Sequence, residues 1–192
     1  MSSFTRRAAA VLVLACAAGT AWAADAPRVK FNTTAGDIVI EVYPDKAPKT
    51  VENFLQYVRD HHYDGTIFHR VINNFMIQGG GMDKDMAEKK TRPPVPHEGV
   101  QAFEKGLKNQ VGTVAMARTN DPNSATAQFY INVANNAFLD PKPGNPGYTV
   151  FGKVVSGMDV VNSIKGVPTG RKGMHSDVPL TPVVINSAEI VK

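Results

Sequence analysis

Hydrophobic and polar residues alternate where the chain first shows order. Val29, Phe31 and Thr33 fall on one face, and beyond Thr34-Ala35-Gly36-Asp37 the alternation resumes at Ile38, Ile40 and Val42. Side chains on a strand repeat every two residues, so this stretch predicts a β-hairpin with one buried face. Next the period lengthens. Val51, Phe54, Leu55 and Val58 recur at i, i+3, i+4 and i+7, an apolar stripe on a helix opened by Pro48 and ending near residues 61–64. Short β-type runs follow at 66–72, 75–79, 111–116, 128–133 and 149–154. A second helix at 158–164, between Gly157 and Gly166, and a final strand at 183–191 complete the series.

Many short strands with only two helices point to a barrel or a sandwich and away from a strand–helix–strand layout. The chain has no internal repeat. The stretches at 91–99, 118–127, 140–147 and 168–182 are rich in Pro, Gly, Asn and Asp and read as long loops, the kind of segment that carries recognition on a rigid scaffold.

The 192 residues, 43% hydrophobic and 20% charged, suffice for one substantial core, so one domain is expected. The first 23 residues stand apart. Arg6 and Arg7 precede an apolar run over residues 8–18, and Ala21-Trp22-Ala23 has the small-x-small form of a cleavage site. Residues 1–23 therefore read as a cleaved secretory leader and 24–192 as the domain. The apolar run is too short for a membrane span, which needs about 20 residues. Val13-Leu14-Ala15 is a poor approach to a lipidated Cys16, and Ala8-Ala9-Ala10 lacks the bulky residues that follow a twin-arginine pair. Ordinary secretion to the periplasm is the expectation. Cleavage would remove the only cysteine and the only tryptophan, so the exported domain would rely on its core and not on a disulfide. It would also lower Lys plus Arg from 21 to 19 against 17 acids, and the net charge from +4 to +2. So small an excess gives no reason to expect nucleic acid as a partner.

Candidate chemistry concentrates in FHRVINNFMIQGGG, residues 68–81, where Arg70 lies close in sequence to Phe68, Phe75, Met76 and Gln78. A guanidinium stays protonated, so it donates hydrogen bonds or stabilises negative charge but cannot act as a base. The run offers a fixed cation, an amide and an apolar lining, with no activated nucleophile. Gly79-Gly80-Gly81 lacks the Gly-Lys-Ser/Thr of a phosphate loop and precedes Met82-Asp83-Lys84-Asp85, so it predicts a bulge or a close backbone approach. His61, His62 and His69 lack the spacing of a metal site, and no GxSxG marks a nucleophilic serine. No metal and no cofactor is expected.

A second run, VAMARTNDPNSATAQFYINVANNAFLD at 114–140, accompanies the first. With APKTVENF at 47–54, FHRVI, FMIQGGG, AMAR, AQFYIN and VFGKVVSGMDVV at 150–161, in this order, the chain resembles the cyclophilin family of peptidyl-prolyl cis-trans isomerases, specifically its exported bacterial type. The resemblance covers nearly everything after the leader. It implies an all-β, cyclophilin-like fold: an eight-stranded antiparallel closed β-barrel capped by two α-helices. The function it implies is a rotamase that accelerates cis/trans exchange of X-Pro bonds during folding of exported proteins; the alternative is a chaperone-like module that binds proline segments without turnover.

The family's catalytic arginine falls on Arg70 and its glutamine on Gln78. Its apolar site falls on Phe75, Met76, Tyr130 and Leu139, with Ala117 and Gln128 along the peptide groove. Phe138 stands where eukaryotic cytosolic members have tryptophan, Tyr148 where they have histidine and Arg118 where they have asparagine, and all three count as substrate-binding positions. Tyr130 replaces the usual phenylalanine and adds a hydroxyl that needs a partner. The partners implied are proline-containing unfolded or extended polypeptides, with no nucleic acid and no membrane after leader removal. A monomer is expected, as is weak binding of cyclosporin-type inhibitors, because Phe138 lacks an indole N–H.

Overall fold

A computed structural model describes residues 26–191, so the leader assigned to residues 1–23 lies outside the described residues. The predicted hairpin is β1 (Arg28–Thr33) and β2 (Gly36–Val42), with Thr33 opposite Gly36 across the turn. Val29, Phe31, Ile38, Ile40 and Val42 are buried on one face, as the alternation requires. Helix α1 (Pro48–Arg59) begins on its proline and buries Val51, Phe54, Leu55 and Val58 together with Thr50 and Tyr57. It stops before the expected 61–64, because His61 adopts a left-handed φ of 53° that no helix continues through.

Strands β3 (Thr66–Ile72) and β4 (Met76–Asp83) form the next hairpin, and β5 (Thr113–Met116), β6 (Phe129–Asn132) and β7 (Val150–Ser156) fall on the predicted runs with shifted ends. Two features come from stretches read otherwise. Helix α2 (Gly99–Glu104) was not expected: six residues that bury only Gly99 and Ala102 are too few to show a helical period. After helix α3 (Met158–Lys165), the stretch expected to be a loop at 168–182 instead folds into a hairpin, β8 (Thr169–Lys172) and β9 (His175–Pro179), whose largely exposed strands show little hydrophobic alternation. Strand β10 (Ile185–Val191) ends the fold.

Eight strands make one antiparallel sheet in the order β10-β1-β2-β7-β5-β6-β4-β3, with β8 and β9 paired separately. The sheet curls until its two edges meet, but the barrel is less closed than expected. Between β3 and the approach to β10 there is a single bridge, Ile67 to Val184, flanked by Phe68 N donating to Val183 O at 3.0 Å and Gly65 N to Ile185 O at 2.8 Å. Pro182, which has no N–H to offer, stands just before this seam and limits the ladder on that side.

Inside the curl, Phe31 stacks on Phe129 at 5.3 Å, and Phe54 of α1 meets Phe151 at 4.9 Å and Phe129 at 6.0 Å. Burying one such ring contributes about 1.5–3 kcal/mol, so this aromatic cluster fixes α1 to the sheet. Val161 and Ile164 of α3 join the same core.

The start of α1 has a further tie. Its N-cap, Ala47, has no side-chain acceptor, and the buried carboxylate of Glu98, 49 residues beyond Lys49, takes that role. Glu98 accepts from Lys49 N at 3.1 Å and from Thr50 N and Thr50 Oγ1, each at 2.8 Å, while its own N–H donates to Thr149 Oγ1 at 3.2 Å. Negative charge at a helix N-terminus also complements the helix dipole. Replacing Glu98 by alanine should lower the unfolding free energy by about 1–3 kcal/mol, read from urea midpoints, with Glu98→Gln losing less. An unchanged midpoint for Glu98→Ala would show that the carboxylate does not hold the helix.

Candidate active site

Arg70, Gln78 and Tyr130 lie in one row across three strands: Arg70 pairs with Gln78, and Gln78 with Tyr130. Directly opposed residues of antiparallel strands share a face, so the register alone brings these three side chains together. Met76, two residues from Gln78 on β4, belongs to the same face, whereas Ile77, Phe129 and Ile131 face the core.

A local irregularity frees Arg70 for this row. Phe68 and Arg70 are two residues apart and on a regular strand would point the same way. Here Phe68 pairs with Gly79 and Arg70 with Gln78, so two steps on β3 answer one step on β4, a bulge at His69. Phe68 consequently enters the core, its ring 6.2 Å from Phe129, while Arg70 is exposed on the other face.

The glycine run makes the close approach expected of it. Gly80 has φ 85°, and a Cβ there would lie 2.8 Å from the Tyr63 ring. A Cβ on Gly81 would lie 2.4 Å from Gln128 Cγ, so only glycine lets the Gln128 side chain cross β4. From that position Gln128 Oε1 accepts from Gln78 Nε2 at 2.9 Å.

These side chains line a cavity of about 460 Å³. Phe75, Met76, Tyr130, Leu139 and Tyr148 form its apolar part, Arg70, Gln78 and Gln128 its polar part, and Ala117 and Arg118 also line it. Among the described residues, no carboxylate and no cysteine lines the cavity. Its two arginines differ. Arg118 is committed to the backbone, donating to Gly147 O at 2.9 and 3.2 Å and to Thr119 O at 2.8 Å, with its guanidinium 4.4 Å from the centre of the Tyr148 ring. Arg70 has no hydrogen-bond or ion-pair partner for its guanidinium among the described residues.

The Tyr130 hydroxyl finds the partner it needs in Asn109, donating to Oδ1 at 2.8 Å. Burial pushes its pKa well above that of an ordinary phenol, so it stays a protonated donor. The Tyr130 and Tyr148 rings meet edge to face at 5.9 Å.

Phe138 is the one expected site residue that does not line the cavity. The 3-10 turn Ala137–Leu139 sends Leu139 inward and leaves Phe138 60% exposed, stacked on the outer side of Phe75 at 5.7 Å. The cavity also extends to residues not expected at a site: His69, Met82, and Met174, His175 and Ser176 at the tip of the β8–β9 hairpin. The tip is separated from Arg70 by about a hundred residues of chain and reaches the cavity because β9 packs against β3. No local sequence pattern announces that proximity.

Taken together, the cavity can hold an apolar ring against Phe75, Met76, Tyr130 and Leu139 while a fixed donor faces it. The sequence profile described as cyclophilin type peptidyl-prolyl cis-trans isomerase/CLD matches residues 28–190. Peptidyl-prolyl cis-trans isomerase cyp18 of Streptomyces antibioticus is 59% identical over 166 residues, covering 85% of this chain and 98% of that protein. Peptidyl-prolyl cis-trans isomerase B of Escherichia coli is 55% identical over 165 residues, covering 84% and 98%. Among solved structures, a cyclophilin type peptidyl-prolyl cis-trans isomerase of Cryptosporidium parvum superposes with a TM-score of 0.71 at 26% identity, over 87% of this chain and 98% of that one. A second structure described in the same words, in the presence of the dipeptide Ala-Pro, gives a TM-score of 0.69 at 26% identity, over 86% and 99%.

His69 at the bulge carries a cost in acid. Its Nδ1 is buried without a hydrogen-bond partner among the described residues, and burial, reinforced by His175 and Arg70, pushes its pKa from 6.5 down to about 4. The unfolded chain therefore takes up this proton at higher pH than the folded one. Stability is complete above about pH 6.5 and falls as pH drops toward 4. His62 and His97, whose pKa values burial also lowers, act in the same direction. His69→Gln should flatten the pH dependence of the urea midpoint between pH 6.5 and 4 by up to one proton, about 1.4 kcal/mol per pH unit. Parallel curves for the two proteins would place that acid sensitivity elsewhere.

Proposed function

The chain belongs to the cyclophilin-type peptidyl-prolyl cis-trans isomerase family and is an enzyme of that class, and we propose that Arg70 is its catalytic donor and that its clients are exported polypeptides. The observation that carries the reading of Arg70 is its unpaired guanidinium, facing a cavity with an apolar end and no acid, thiol or metal cluster among the described residues.

X-Pro bonds are the peptide bonds with an appreciable cis fraction, and they exchange over tens to hundreds of seconds because a barrier of about 18–20 kcal/mol protects amide resonance. In the twisted transition state that resonance is lost, and the prolyl nitrogen becomes pyramidal with a usable lone pair. Arg70 donates a hydrogen bond to it. The planar ground state has no such lone pair, so the interaction is made only on the way over the barrier. Gln78, held by Gln128, is placed to restrain the rotating carbonyl, and the proline ring rests against Phe75, Met76, Tyr130 and Leu139 as the fixed end. Reaching about 10³ turnovers per second requires roughly 5.5–7 kcal/mol of barrier lowering. A charged donor in a partly dry site, with positioning, is of the right size for that.

In this reading the leader delivers the enzyme to the periplasm, where a monomer acts on unfolded or extended proline-containing chains. Arg70→Ala should reduce kcat/KM on a proline peptide by on the order of 10²-fold, since a transition-state donor of this kind is worth that much, while the protein keeps its wild-type circular dichroism. NMR exchange without a coupled protease measures this directly. Wild-type turnover in the variant would exclude Arg70, and peptide binding without exchange in the wild type would make the protein a binding module.

Phe138 generates a second expectation. Its exposed ring has no N–H to donate, so cyclosporin-type inhibitors should bind weakly and Phe138→Trp should tighten them about tenfold, the worth of one modest hydrogen bond. Calorimetric titration that finds no gain would remove the ring from inhibitor recognition.

A further inference from the structure

We propose that Asn109, which does not line the cavity, sets the width of the proline pocket as a positioning residue. The proposal rests on the isomerase reading above. Asn109 is buried in the loop before β5, and every polar group it owns is occupied. Its Oδ1 accepts from Tyr130 Oη at 2.8 Å and from Asn132 Nδ2 at 3.2 Å. Its backbone N and its Nδ2 both donate to Asp140 Oδ1, at 2.8 and 2.9 Å, and its carbonyl accepts from Asn136 N at 2.8 Å.

Each arm ends on a different part of the pocket wall. The first holds Tyr130 itself. A second fixes Asp140, whose chain neighbour is Leu139. A third passes through Asn132 to Asn136, whose Nδ2 donates to Asn132 Oδ1 at 2.7 Å and to the Phe75 carbonyl at 2.9 Å. Tyr130 comes from β6, Leu139 from the turn after it and Phe75 from the turn before β4, so three separate segments meet through one amide. An amide is the group this position needs, because it must accept from a hydroxyl on one side and donate to a carboxylate on the other. A carboxylate at 109 could not donate to Asp140 and would oppose it. Buried networks of this kind are stiff when every member is satisfied, and a pocket whose walls are stiff discriminates by size.

The measurement compares two substrates that differ by one ring methylene: a prolyl peptide and the same peptide with pipecolic acid in place of proline. The wild type should prefer the five-membered ring, since one methylene in a tight apolar pocket is worth roughly 10–200-fold in kcat/KM. Asn109→Ala should lose roughly tenfold in kcat/KM on the prolyl peptide, mostly through KM, with the pipecolyl peptide much less affected, so the preference narrows. Tyr130→Phe, which keeps the ring and removes only the hydroxyl, should shift the ratio in the same direction by less, and serves as the test if Asn109→Ala does not fold. Equal losses on both peptides, an unchanged ratio in the folded variants, or a wild type indifferent to ring size would overturn the proposal. A wild type that accelerates neither peptide would instead overturn the isomerase reading on which it rests.

Discussion

An antiparallel strand assigns alternate residues to opposite faces, and the site depends on one break in that rule. The register of β3 against β4 skips at His69, so Phe68 turns into the barrel and Arg70 turns out of it. With regular pairing the chain would have had to choose between a filled core and an exposed donor. The bulge permits both, and its burden falls on His69, held in the strand with a ring nitrogen that meets no partner among the described residues. The glycines opposite complete the arrangement. Gly79 accepts the tightened approach of Phe68, and Gly81 leaves room for Gln128 to reach Gln78.

Charge is distributed with equal economy. Both cavity arginines are permanent cations, but Arg118 spends its donors on backbone carbonyls and its face on Tyr148, which makes it a clamp for the chain at Gly147. Arg70 alone of the pair has donors to spare. Behind the apolar wall lie Asn109, Asn132 and Asn136, which do not line the cavity. The chain thus supports a greasy pocket on a hydrogen-bonded base, where direction as well as volume is specified.

Much of this fold is legible in the order of residues. Strands β1 and β2 follow from period-two runs and α1 and α3 from apolar stripes, because those elements bury one face, while β5 and β6, buried on both faces, follow from short runs of β-type residues. What fails to show is what has neither an apolar face nor an apolar run. Helix α2 is too short and the β8–β9 hairpin too exposed, and the single-bridge seam depends on how far the sheet curls, a property of no one segment. At the site, Arg70, Gln78, Met76 and Tyr130 are legible through the family resemblance, and their grouping follows from strand register. The bulge is not: FHRVI breaks the alternation at His69-Arg70, but such a break fits a strand end or a lone exposed charge as well as a bulge. The different positions of Phe138 and Leu139 are not legible for a related reason: adjacent residues of a 3-10 turn point in different directions, so Leu139 lines the cavity while Phe138 stands exposed beside it, against Phe75. Asn109 gives no signal because its side-chain partners lie 21 to 31 residues further along the chain.

The edge-to-face contact between Tyr130 and Tyr148 has an optical consequence. Trp22 is the only tryptophan, and residues 24–192 contain none, so near-ultraviolet absorption and emission of that region come chiefly from five tyrosines. Two of the five stand together in the cavity wall, one with its hydroxyl fixed to Asn109 and the other beneath the Arg118 guanidinium. In the proposed pose a proline ring rests against Tyr130, on which the Tyr148 ring packs, so binding would alter the surroundings of two-fifths of the chromophores at once and the pocket would carry its own spectroscopic reporter without any added label.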